Sequence, residues 1–157
     1  MKQLRLYADT SVLGGCFDDE FGSVSLELMA EIGRGRFVLV LSATTLRELE
    51  GAPQEVRDLL ADIRDENMEV IRESDEIDRL RDAYLKAGVV GPSAVSDAEH
   101  IAAASVAAVD LVVSWNFKHI VHYDKIKHYH AVNLVEGYQT IPIHTPREVV
   151  THETEDI

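Results

Sequence analysis

Four oxygen-bearing side chains sit beside short apolar runs. Asp9 follows Leu4–Ala8, and Glu48 lies in the segment after Phe37–Leu41. Asp97 opens a stretch rich in small residues, and Asn116 closes the run that starts at Leu111. The segment that holds Glu48 also carries Glu50, which is an equal candidate at this point. If the runs are parallel strands, these side chains gather beyond the strands' carboxyl ends, where such sheets bind ligands. Carboxylates crowded there must be neutralised by protons or by a cation. An oxygen-only set suits a hard ion such as Mg²⁺ or Mn²⁺. Such ions activate water and stabilise the leaving oxygen in phosphodiester cleavage. Singly, each residue has an ordinary explanation. An Asp after a strand is a common turn or cap residue. Asp97 in a first helical turn is favoured by the helix dipole, and a lone Glu48 suits a solvated helix face. Their joint placement is what points to function.

The elements that would position them follow from the apolar pattern. Leu4–Ala8 reads as a strand, and 25–34 as a helix with Leu26, Met29, Ala30 and Ile32 on its buried face. The unbroken run Phe37–Leu41 is a strand buried on both faces, followed by a helix over 44–50. Pro53 opens another helix, carrying Val56, Leu59, Leu60 and Ile63. Residues 68–71 form an edge strand, and Ser74 caps a helix that ends at Gly88. Ser96 and Glu99 have the spacing of a capping box for a helix reaching about Ala108. Residues 111–115 are a buried strand, and 140–144 a last strand that Pro142 places at an edge. Strands separated by helices predict an α/β fold: a parallel sheet covered on both faces.

The chain has 157 residues, one cysteine and a formal charge of −13. That length predicts one domain, over residues 1–150, with an acidic tail at 151–157. A lone Cys16 excludes an intrachain disulfide framework and fits a reducing, cytoplasmic location. No stretch has the length of a membrane span or of a signal-peptide core. The acidity argues against nonspecific attachment to DNA or anionic lipid.

Four segments, in order over about residues 4–120, resemble the PIN-domain family. They are Tyr7–Leu13, Ser42–Leu49, Ser96–Ala104 and Leu111–Lys118. This is the metal-dependent nuclease fold of VapC-type toxins and of several RNA-processing enzymes. The resemblance implies a parallel sheet of about five strands in the order 3-2-1-4-5. It also implies an acidic pocket binding Mg²⁺ or Mn²⁺ through Asp9, Asp97 and Glu48. Where the family often has a further Asp, this chain has Asn116, which keeps a neutral oxygen and removes one negative charge. Thr10, Ser11, Ser114 and Lys118 are the candidate substrate contacts. The implied activity is endoribonuclease action by metal-activated water, as in the toxin of a toxin–antitoxin pair. RNA, a cognate antitoxin and a second copy are the implied partners, with no membrane. The alternative is a catalytically weakened PIN-fold module that binds RNA or protein, and Asn116 is the feature in its favour.

One further stretch invites an RNA reading. Residues 111–135 carry a net +2, with Lys118, Lys125 and Lys127 among Trp115, Phe117, Tyr123 and Tyr129. Lysines there could meet phosphates while aromatic rings stack on bases. The plainer reading is a helix with its apolar face inward. His119, His122, His128 and His130 lie in the same stretch, but no cysteine or HExxH pattern supports a zinc site. His100 reads as a packed or hydrogen-bonded side chain. A phosphoryl-accepting domain would want an acidic pair after the first strand and a Lys after the last. The chain offers Asp9-Thr10 and His144-Thr145 instead.

Overall fold

The structure, a computed structural model, describes residues 3–151, so the expected tail at 152–157 lies outside it. Its five strands are β1 (Leu4–Ala8), β2 (Phe37–Ser42), β3 (Met68–Ile71), β4 (Leu111–Val113) and β5 (Ile143–His144). They form one sheet in the order β3-β2-β1-β4-β5, with every pairing parallel. Helices α1 (Thr10–Gly15), α2 (Gly22–Gly33), α3 (Ala43–Glu50), α4 (Gln54–Ala61), α5 (Asp75–Lys86), α6 (Val95–Val106), α7 (Tyr123–Glu136) and α8 (Pro146–Val149) complete it. Fold class and strand order are those expected from the sequence.

Successive strand residues point to opposite faces, and that alternation builds two cores. Leu6, Ala8, Leu39, Leu41, Leu111 and Val113 pack with α1 and α2 through Val12, Leu13, Leu28 and Ile32. Tyr7, Val40 and Val112 face the other way, onto Ile77, Leu80 and Tyr84 of α5, Ile101 of α6 and Tyr129 of α7. The second core contains a buried polar knot. Tyr84 donates its hydroxyl proton to Asn133 Oδ1, and Asn133 Nδ2 donates to Ser105 Oγ at 2.9 Å. Buried polar atoms are thereby partnered rather than stranded.

The elements depart from expectation in four places. A helix, α1, starts directly after Asp9, where the sequence suggested only a strand end. Helix α2 begins at Gly22, and its buried face carries Ser25, Leu28 and Ile32. Leu26 is 49% exposed, because apolar residues on both sides of this helix made the face ambiguous. The Ser96–Glu99 capping box is absent: a 3₁₀ turn at Pro92–Ala94 runs straight into α6, so Ser96 lies inside the helix. Glu99 instead takes hydrogen bonds from Arg47 and Arg81, each at 3.0 Å. Strand β5 keeps only two residues, although the Pro142 carbonyl still accepts from Val112 N at 2.9 Å. None of the described helices is long and apolar enough to cross a membrane.

The face assignment of α2 is testable. Leu28→Ala should cost about 2–5 kcal/mol in urea unfolding, as expected for truncating a fully buried leucine. Leu26→Ala should stay within about 0.5 kcal/mol. Equal costs would overturn the assignment.

Candidate active site

The sheet order reverses at β1, which is flanked by β2 on one side and β4 on the other. A crevice therefore opens beyond the carboxyl ends of β1 and β4. Asp9 follows β1, and Ser114 and Asn116 follow β4. Glu48 reaches in from α3, which follows β2, and Asp97 from the first turn of α6. With Thr10, Ser11 and His100 at their side, Asp9, Glu48, Asp97 and Asn116 line one open cavity of about 300 Å³.

Asp9 is 3% exposed, and both its oxygens are held by hydroxyls. Ser11 Oγ donates to Oδ1 and Ser114 Oγ to Oδ2, each at 2.6 Å. Those hydroxyls are oriented in turn by the chain after β4. Trp115 N donates to Ser11 Oγ and Asn116 N to Ser114 Oγ, each at 2.9 Å. Each carboxylate oxygen has two lone pairs, so each retains one for a ligand. Burial raises the Asp9 pKa, and the nearby His100 and the two serine hydroxyls only partly offset it.

Glu48 is tied through one oxygen. Its Oε1 accepts from Thr10 Oγ1 and from His100 Nε2, the latter at 2.9 Å. His100 Nδ1 lies 2.6 Å from the Tyr7 hydroxyl, which is 2.7 Å from Ser42 Oγ, the N-cap of α3. Burial opposes a charge on His100, but the Tyr7 hydroxyl and the Glu48 and Asp9 carboxylates outweigh it and push the imidazole up to about 10. Burial also pushes Glu48 upward, yet the His100 and Thr10 hydrogen bonds hold it below the ordinary carboxylate value. An imidazolium and an ionised Glu48 therefore stabilise each other.

Asp97 receives an amide rather than facing a fourth acid. Asn116 Nδ2 donates to Asp97 Oδ1 at 3.1 Å. The Asn116 carbonyl oxygen is engaged elsewhere, accepting from Lys118 N at 3.1 Å and His119 N at 2.9 Å. Those backbone donors fix the amide's orientation, so Asn116 presents a donor to the site and not a ligand oxygen. Burial raises the Asp97 pKa, and the Asp9 and Glu48 charges add to it against His100 and His119.

Of the sequence candidates, Asp9, Thr10, Ser11, Glu48, Asp97 and Asn116 meet here. Thr10 and Ser11 spend their hydroxyls on the acids, as does Ser114, which is fully buried behind Asp9 and out of a substrate's reach. Glu50 is exposed and does not line the cavity, which selects Glu48. Lys118 is exposed and outside the cavity. The proposed aromatic stripe divides: Trp115 and Tyr129 are core residues, while Phe117 and Tyr123 are exposed. The four histidines do not form a ligand cluster among the described residues. His100, expected to be packed or hydrogen-bonded, is buried and bonded to Tyr7 and Glu48, and it also lines the cavity. Its signal was its position three residues after Asp97, hence on the same helix face.

The donor set fits a hard divalent ion. Ionised, the three carboxylates and the His100 imidazolium leave two negative charges facing one cavity. Asp9 and Asp97 are penalised as anions by burial, so a cation would stabilise them. No group of three or more Asp, Glu, His or Cys side chains among the described residues is placed to hold a metal ion. Mg²⁺ needs no such group, because it binds through one or two carboxylates and keeps several waters. No family profile and no curated protein sequence matches the chain.

The His100 tether has a pH signature. A base with a raised folded-state value contributes stability that is complete below pH 6.5 and lost as pH rises to about 10. Without added metal, the urea midpoint of the wild type should fall across that window relative to His100→Gln. A constant difference between the two proteins would refute the charged pair.

Proposed function

We propose that the chain is a divalent-metal-dependent endoribonuclease with a PIN-like active site, using Mg²⁺ or Mn²⁺. The observation that carries this reading is the convergence of Asp9, Glu48 and Asp97 on one cavity with a single buried imidazolium as partial counter-charge. Asp9 and Asp97 would hold the ion, each with lone pairs left after its protein hydrogen bonds. A bound divalent ion supplies Lewis acidity toward water and the scissile phosphate. Ser11 and Ser114 hold Asp9 in one orientation, and the Asn116 amide does the same for Asp97. His100 keeps Glu48 ionised and fixed against the cavity wall. The resemblance to VapC-type toxins makes a cognate antitoxin and a second copy of the chain the partners to seek, and the cytoplasm the compartment.

A second reading has a specific observation in its favour. Asn116 supplies a donor where a further acid would add a negative charge, so the chain is also a candidate for a weakened module that binds RNA or a protein.

Both readings meet in one experiment on labelled single-stranded RNA with Mn²⁺, Mg²⁺ or EDTA. Asp9→Ala and Asp97→Ala should each reduce Mn²⁺-dependent cleavage by more than about 100-fold. Ser114→Ala should stay within about 10–100-fold, as for groups that only orient ligands. Cleavage that survives EDTA and both Asp substitutions would overturn the assignment, and RNA binding without cleavage would favour the module. Asn116→Asp should tighten Mn²⁺ binding about tenfold by adding a carboxylate. Unchanged affinity would show that this position does not bear on the ion.

A further inference from the structure

A second cavity, of about 540 Å³, opens on the far side of the segment that follows β4. Asn116 faces the acids, while its neighbours Trp115 and Phe117 line this cleft with Phe21, Arg147 and Glu20. The floor is rigid. Phe21 stacks on Trp115 with ring centroids 4.3 Å apart and 17° between planes. Trp115 Nε1 donates to Ser25 Oγ at 2.8 Å. Gly15 lets the indole lie this close, since a Cβ there would come within 2.9 Å of both Ser25 Oγ and Trp115 Cδ1.

Above this floor stands a ring that the core does not need. Phe117 is 48% exposed and tilted against both neighbours, with centroids 6.1 Å from Phe21 and 6.2 Å from Trp115. The Arg147 guanidinium lies 6.0 Å from the Trp115 ring centroid. Lys118, next to Phe117, is exposed. The Glu148 carboxylate at the rim is engaged by Thr145 N at 2.9 Å and faces His144 Nδ1 at 3.3 Å. Glu20 is the other acid at the rim. Aromatic faces flanked by Arg and Lys are the arrangement that takes single-stranded nucleic acid, with rings stacking on bases and cations meeting the backbone.

We infer that this cleft is a nucleobase subsite, in which an unpaired base of single-stranded RNA stacks on Phe117 beside Trp115 while Arg147 and Lys118 meet the flanking phosphates. The inference rests on the nuclease reading for its substrate class, and it places the bound strand across the 114–117 segment toward the acids. Arg147 in the cleft and the exposed Lys118 beside Phe117 favour this occupant over an apolar peptide segment, which carries no phosphate for them to meet.

Trp115 is the chain's only tryptophan, so its fluorescence reports on the cleft directly. The full chain is titrated in EDTA with a single-stranded RNA hexamer, with a matched hexamer of abasic ribose-phosphate, and with an apolar peptide. The RNA should quench Trp115 saturably, and the abasic strand should bind at least about tenfold more weakly. Phe117→Ala and Arg147→Ala should each weaken RNA binding by about tenfold, and Phe117→Tyr should restore it. Because Phe117 is half in solvent, its truncation leaves the core intact. Equal binding of both strands, RNA affinity indifferent to Phe117→Ala, or quenching by the peptide alone would each overturn the inference. Metal-dependent cleavage that ignores Phe117→Ala would sink the subsite and leave the nuclease standing. Phe117-dependent RNA binding without any cleavage would do the reverse.

Discussion

A carboxylate at the end of the central strand must be satisfied where water barely reaches it. Asp9 is 3% exposed, and an ionised carboxylate without partners is costly in such a place. Much of the surrounding structure answers that demand. Helix α1 begins at the next residue and brings Ser11 back onto Oδ1. Strand β4 stops at Val113, which frees Ser114 to turn onto Oδ2. The backbone of Trp115 and Asn116 then donates to the two serines. The same short turn aims the Asn116 side chain at Asp97 and sets Trp115 against α2. One buried charge thus determines how two strands end and where three further site groups lie.

The second acid is fixed by a different device, one that passes through the sheet's edge. Tyr7 alternates onto the face opposite Leu6 and Ala8, so its hydroxyl emerges under α3 and α6. There it links the cap of α3 to His100, and His100 to Glu48. A charged imidazole is costly to bury alone, yet here it lies between a phenol and a carboxylate within hydrogen-bond distance of both. The arrangement sets the relative position of α3 and α6, the two helices that carry Glu48 and Asp97. Pairing one acid internally leaves the other two, which burial disfavours as anions, as the groups with most to gain from an added cation.

The sheet was legible because its signals are local and redundant. Unbroken apolar runs at Phe37–Leu41 and from Leu111 can only be buried strands, and Pro142 marks an edge. Asp9 and Asp97 were legible for a related reason, one following a strand and the other lying in a first helical turn, and Glu48 because it lies in the short helix after β2. What the sequence could not show is which atom each polar group spends on its neighbours. In a string of letters Ser114 looks like a substrate contact and Asn116 like a neutral oxygen donor. In three dimensions one hydroxyl is committed to Asp9 and one amide oxygen to two backbone donors. The Ser96–Glu99 motif failed similarly. Its spacing is right for a cap, but Arg47 and Arg81 hold Glu99, and the preceding 3₁₀ turn starts the helix earlier. Distant partners decided Ser114 and Glu99, whereas the Asn116 oxygen is taken by backbone donors two and three residues further on.

The amide at Asn116 is best understood through charge and geometry together. A fourth carboxylate in this cavity would add a third uncompensated negative charge and would repel Asp97, which burial and its neighbours already disfavour as an anion. The amide does the opposite, because it donates a hydrogen bond to the ionised form of Asp97. The site therefore stands nearer to electrostatic balance than a four-acid site would. A fourth acid would leave three excess negative charges on the cavity, where the amide leaves two. The overall charge of −13 does not contradict this economy. Most of the chain's acids are exposed, in loops and on helices such as α5, whereas the chain around the site offers Lys118 and Arg147 beside exposed aromatic surface. The 114–117 turn is where the acidic cavity and the local cation Arg147 come together, with Asn116 on one side and Trp115 and Phe117 on the other.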